Sequence, residues 1–131
     1  VGQGTIKLVL GNIVGQQVDA IVNAANSRLA GGGGVDGAIH EAAGPQLLQW
    51  CQQINPDPQG HRCPTGEVRS TAAGNLSARW VIHAVGPIYH SLPPDQASEL
   101  LRTAHVHALG TAAELACQSI ALPATSLSGL A

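Results

Sequence analysis

Residues 23–40 bring together side chains and backbone suited to one kind of chemistry: Asn23-Ala-Ala-Asn26, then Gly31-Gly-Gly-Gly-Val-Asp-Gly-Ala-Ile-His40. Carboxamides both donate and accept hydrogen bonds, so Asn23 and Asn26 can hold sugar hydroxyls, or they can close a turn. Four consecutive glycines remove every Cβ where the chain turns, and a ligand can then approach bare main chain. If a helix starts directly after them, its first-turn amides and its dipole form an anion site that needs no basic residue. Asp36 then falls in the first turn, where its charged form is favoured. It could serve as a cap, or it could grip a sugar hydroxyl or orient a water. His40 lies one turn further along the same face. Together these groups point to a polar, phosphorylated sugar ligand.

The flanking sequence supplies elements able to hold this block. Residues 5–10 are a β-rich run closed by Gly11-Asn12, and residues 19–23 are a short apolar run of the kind buried in parallel sheets. From Val35 the positions Val35, Ile39, Ala43, Leu47, Trp50, Cys51 and Ile54 follow the helical period, with Gly44-Pro45 expected to kink or split the helix. Residues 55–64 read as a surface loop, and residues 67–71 and 79–83 as strands. Pro93-Pro94-Asp95 opens a second helix with the stripe Ala97, Leu101, Ala104, Ala108, Ala112 and Leu115, before a buried strand at 119–122. The alternation predicts one α/β domain with a parallel or mixed sheet.

Composition narrows the field. The chain has 131 residues, 44% hydrophobic and 11% charged, which excludes a disordered tail or a solvated coiled coil. It contains no Phe or Met but 16 Gly, so the core must be built from Val, Ile, Leu and Ala. Six Lys and Arg against eight Asp and Glu give a net charge of −2 with no basic run, so nucleic acid is not an expected partner. Cys51, Cys63 and Cys117 form no paired motif, which favours a reducing, cytoplasmic setting over a disulfide framework or zinc site. No apolar stretch is long enough to span a membrane, and no secretory signal opens the chain.

Competing motifs are weaker. Gly32, Gly34 and Gly37 match the dinucleotide pattern G-x-G-x-x-G, but residues 23–31 separate them from the preceding strand and no ribose-binding acid follows at the right distance. His105 and His107 are two apart on a helix and cannot share one ion. His61 and Cys63 lack a third ligand, and Cys51 falls on an apolar stripe as core rather than nucleophile. The scarcity of aromatic residues disfavours a single-stranded RNA binder.

The chain resembles the macro domain family, and within it the MacroD-type branch. The carrying residues are Gly11-Asn-Ile13, Val18-Asp-Ala-Ile-Val-Asn-Ala-Ala-Asn26, Gly31 through Gly44, Cys63-Pro-Thr-Gly66, Ala73-Gly74 with Leu76, and Val81-Ile-His-Ala-Val-Gly-Pro87. The match runs from about residue 4 to residue 124. The resemblance implies a three-layer α/β/α fold with a mixed central sheet, formed by residues 1–131 as a single domain and lacking the family's last strand and helix. It implies a metal-free, cofactor-free hydrolase, a cytoplasmic monomer, that removes ADP-ribose ester-linked to acidic side chains or deacetylates O-acetyl-ADP-ribose. Its partners would be ADP-ribose or ADP-ribosylated proteins, and a non-catalytic ADP-ribose reader is the alternative.

By position, Asn26, Asp36 and His40 take the catalytic roles, with Asn23 in support. Gly32, Gly33, Gly34 and Val35 line the distal ribose and pyrophosphate. Asn12 and Ile13 meet the adenine, and Ser126, Leu127, Ser128 and Gly129 stand where the family has its phosphate loop. In the mechanism implied, a water near the α-phosphate attacks while Asp36 positions ribose or water. Two departures stand out. Asn12 replaces an Asp that accepts from the adenine amino group, with an expected loss of roughly 1 kcal/mol of charge assistance. The run Thr125-Ser-Leu-Ser-Gly-Leu-Ala131 differs from the usual Ser-Thr-Gly-aromatic loop.

Overall fold

Five short strands form one sheet in the order β1-β5-β2-β4-β3. The computed structural model describes the backbone of residues 7–10 and, in full, residues 14–32, 34–86 and 93–122. Along the chain the elements are β1 (Lys7–Leu10), β2 (Ala20–Ala25), α1 (Gly34–Ala43), α2 (Pro45–Gln52), β3 (Val68–Ala72), β4 (Trp80–Val85), α3 (Pro94–Glu114) and β5 (Ser119–Leu122). β1, β5, β2 and β4 are mutually parallel, and β3 pairs antiparallel with β4 at the edge. The sheet is therefore mixed, one of the two arrangements that the alternation of elements allows.

Each strand of the sheet centre divides its side chains between two cores, because successive residues face opposite sides. Ile21, Val81 and Ala121 pack with Ile39, Ala43 and Leu47 from α1 and α2. Ala20, Val22, Ile82, Ile120 and Leu122 pack on the other face with Ala104, Ala108 and Ala112 of α3. This makes three layers. The alanine stripe of α3 lets that helix lie close on the sheet, where larger side chains would hold it away.

The expected helix from Val35 is divided where Gly44-Pro45 predicts. Gly44 has φ +92° and Pro45 begins α2. The positive φ suits glycine, and Pro tolerates only the first turn of the new helix. β2 and β4 each run two residues beyond their expected ends, to Ala25 and Val85.

The connections position the site. β2 leads toward α1 and α2 on one face, while β4 precedes α3 on the opposite face. Neighbouring parallel strands whose crossovers leave on opposite faces open a crevice at their carboxyl ends. The segment 26–33 starts at that end of β2.

Candidate functional site

β2 carries Asn23 on the α1/α2 face, in a position fully sealed from solvent. A buried carboxamide must find partners, and here its Nδ2 donates to Asp36 Oδ1 at 2.8 Å and lies 3.2 Å from His83 Nδ1. Asp36, in the first turn of α1, is only 7% exposed. One of its oxygens, Oδ1, is held twice, by Asn23 and by His40 Nε2 at 3.3 Å. The i, i+4 spacing on α1 creates the second of these contacts.

The other oxygen is turned to the glycine loop. A Cβ placed on Gly32 would lie 3.5 Å from Asp36 Oδ2 and 3.9 Å from Asn26 Nδ2. Asp36 and Asn26 thus flank the same stretch of side-chain-free backbone. A Cβ on Gly31 would sit 3.9 Å from the His40 ring. Asn26 itself closes the loop, accepting from Ala30 N at 3.2 Å and donating to the Gly31 carbonyl at 2.8 Å. Both readings open for Asn26 therefore meet at one residue: it closes a turn, and it borders the cradle. Val35 is half-buried in the first turn of α1, and Gly34 (φ +60°) begins that helix.

Gly37 explains how the loop comes so close. A Cβ there would collide with the Gly32 carbonyl oxygen, so the loop rests directly on the α1 backbone. In the sequence Gly37 is only the last glycine of a weak dinucleotide pattern. Its structural meaning is contact between loop and helix.

Of the expected site residues, the structure brings Asn23, Asn26, Gly32, Asp36 and His40 together, with Gly34 and Val35 at the helix start. Asn12, Ile13, Gly33, Ser126, Leu127, Ser128 and Gly129 lie outside the described residues.

Three groups entered the site without being foreseen: His83, Thr71 and Cys51. His83 is fully buried on β4, directly opposite Asn23 in the parallel register. Its Nε2 lies 3.0 Å from Thr71 Oγ1 and 3.7 Å from Cys51 Sγ. Burial, with a smaller effect from nearby His40, drives its pKa down to about 3, so it is neutral at ordinary pH. The one signal for it in the sequence is a histidine at an inward position of the apolar run 81–85. Cys51 behaves as expected of core, since burial pushes its thiol pKa up to about 11 and leaves little thiolate. His105 and His107 also diverge as expected, one ring near the Leu101 carbonyl and the other near that of Gly66.

Among the described residues no helix is long and apolar enough to cross a membrane.

Comparison with known proteins places this geometry among relatives. A family model described as the Macro domain matches residues 22–129. A macro domain-containing protein of Vibrio parahaemolyticus is 54% identical over 121 residues, which cover 92% of this chain and 69% of that protein. An O-acetyl-ADP-ribose deacetylase of Escherichia fergusonii is 50% identical, covering 92% of this chain and 67% of that protein. Among solved structures, the Oceanobacillus iheyensis macrodomain with ADP superposes with a TM-score of 0.80 at 46% identity, over 88% of this chain. The chain spans 61% of the length of that solved structure.

Proposed function

The chain belongs to the macro domain family, and from that membership we propose that it binds ADP-ribose and hydrolyses ADP-ribose esters, either O-acetyl-ADP-ribose or ADP-ribose linked to acidic side chains. The observation that carries the proposal is the Asp36 carboxylate, with Oδ1 held by Asn23 and His40 and Oδ2 beside Gly32. A carboxylate fixed in this way is a better positioner than a mobile base. The relatives add support, since one is named as an O-acetyl-ADP-ribose deacetylase and another was solved with ADP.

In this reading the bare backbone of residues 31–34 and the start of α1 receive the pyrophosphate and distal ribose. Asn26 donates to a ribose hydroxyl from the loop side, and Asp36 Oδ2 accepts from a ribose hydroxyl or from the attacking water. Water adds to the ester carbonyl, the acyl–oxygen bond breaks, and the acid and the free ribose hydroxyl leave. The proton released by the water passes to the departing alkoxide, with the substrate's α-phosphate as its local acceptor. His40, fixed against Asp36, keeps the carboxylate from rotating. The scarcity of Lys and Arg suits amide-based phosphate binding, in which fixed N–H groups replace mobile cations.

The test is to incubate the protein separately with O-acetyl-ADP-ribose and with a glutamate-ADP-ribosylated protein, and to measure ADP-ribose binding by calorimetry. Release of product from either substrate is the expected result. Binding without release from both would leave a reader module and remove the hydrolase assignment.

A further inference from the structure

We propose that His83 is a positioning residue for Asp36: as the neutral imidazole carrying its proton on Nε2, it orients the Asn23 amide that holds Asp36 Oδ1.

The hydrogen-bond polarity leaves one arrangement. A carboxylate oxygen only accepts, so the Asn23 nitrogen, not its oxygen, must face Asp36. That same nitrogen lies 3.2 Å from His83 Nδ1, so Nδ1 must also accept. The imidazole proton is then on Nε2, where Thr71 Oγ1 waits at 3.0 Å. Thr71 Oγ1 accepts it and in turn donates to the Ala72 carbonyl at 3.0 Å. The bonds therefore diverge from Asn23, which donates to α1 on one side and to β4 on the other, where the series continues from His83 to Thr71 and the Ala72 carbonyl on β3.

The other tautomer, or the imidazolium, would set an N–H of His83 against the N–H of Asn23 in a site without water access. Burial reinforces the neutral form by holding the His83 pKa near 3. The titratable groups around His83 include His40 from α1, Cys51 from α2, Arg69 directly opposite on β3, and Cys63, whose Sγ lies 3.9 Å from the His83 carbonyl; Asp36 is reached through Asn23. With both Asn23 hydrogens committed, the amide cannot turn over without losing two bonds. His83 is fully buried and Thr71 8% exposed, so neither is placed to touch a ligand at the glycine loop. Their influence must pass through Asn23 and Asp36.

The kinetic part of this proposal rests on the hydrolase reading, while the tautomer does not, and the experiment keeps the two apart. Two-bond ¹H–¹⁵N correlation spectra of the ligand-free protein at pH 7, with His83 assigned by its loss in His83→Asn, should show a neutral ring protonated on Nε2. An Nδ1-protonated ring or an imidazolium would overturn the proposal. In turnover of O-acetyl-ADP-ribose, Thr71→Val should lower kcat about tenfold or more, because the Nε2 proton loses its acceptor, with ADP-ribose Kd changed less than threefold. Thr71→Ser, which restores the hydroxyl, should recover most of kcat. His83→Asn keeps an acceptor toward Asn23 and should outperform His83→Leu. Equal losses in Thr71→Val and Thr71→Ser, or no loss in Thr71→Val, would reduce the pair to structural packing and refute the positioning role. A wild-type protein inert on both ester substrates refutes the hydrolase reading instead, and the spectrum then decides the network by itself.

Discussion

At the scale of single residues, Asp36 and Asn12 should separate turnover from binding. Asp36→Ala removes the carboxylate that the proposal assigns to positioning, while leaving the glycine backbone that would hold the phosphates. Turnover should fall on the order of 10²-fold or more while the calorimetric Kd shifts less than about fivefold. Equal losses in both would mean that Asp36 serves ground-state binding alone. Asn12→Asp should act in the reverse sense. If residue 12 meets the adenine as the family resemblance implies, a charged acceptor there adds roughly 1 kcal/mol, or about a fivefold tighter Kd. An unchanged affinity would show that residue 12 does not meet the adenine. Asn23, Asn26, Asp36 and His40 could be singled out in the sequence because they crowd one short segment beside the glycines. His83, Thr71 and Cys51 could not, since each comes from a different element and their meeting depends on strand register and on how α2 packs. Asn23 and His83 are 60 residues apart in the chain yet direct partners across β2 and β4. No local pattern encodes that distance.

At the scale of elements, the contact between the glycine loop and α1 makes a sharper prediction than helix propensity alone. Alanine is favoured over glycine inside a helix by about 1 kcal/mol, so Gly37→Ala should stabilise α1 if nothing touched that position. Here the new Cβ would meet the Gly32 carbonyl, a backbone atom that cannot rotate aside. Overpacking of this kind costs about 1–3 kcal/mol and would push the loop off the helix. The expected result is a lower Tm and at least about a tenfold weaker affinity for ADP-ribose in calorimetry. A raised Tm with unchanged affinity would show that the loop's rest on α1 is incidental. Hydrophobic period located the strands and helices, including the break at Gly44-Pro45, because those signals are local. It did not yield the strand order or the antiparallel edge of β3, which are decided by contacts between distant segments. The alternating exposure on β3 is weak, with Thr71 alone buried along Val68–Ala72.

At the scale of the whole molecule, His83 ties the site to the stability of the fold. Its two tautomer-defining contacts cross the sheet, and the sheet is shared by both cores. Unfolded, the imidazole titrates near its ordinary value of 6.5, whereas folded it resists protonation down to about 3. Between those values the unfolded chain binds a proton that the native state refuses. Acid therefore draws the equilibrium toward unfolding. The stabilisation is complete above pH 6.5, declines as the pH falls, and is lost once the pH reaches about 3. One proton of difference sets a ceiling of about 1.4 kcal/mol per pH unit on the slope from this group. Trp50 on α2 and Trp80 on β4, the only tryptophans, pack against opposite cores and report loss of either. Urea midpoints followed by their fluorescence should fall steadily from pH 7 to pH 4. In His83→Asn the unfolding free energy at pH 7 should be lower, since a smaller side chain leaves a void, but its pH slope over that range should flatten by most of one proton. Parallel slopes in the two proteins would mean that His83 is protonated without unfolding, which is incompatible with a sealed imidazole held between Asn23 and Thr71.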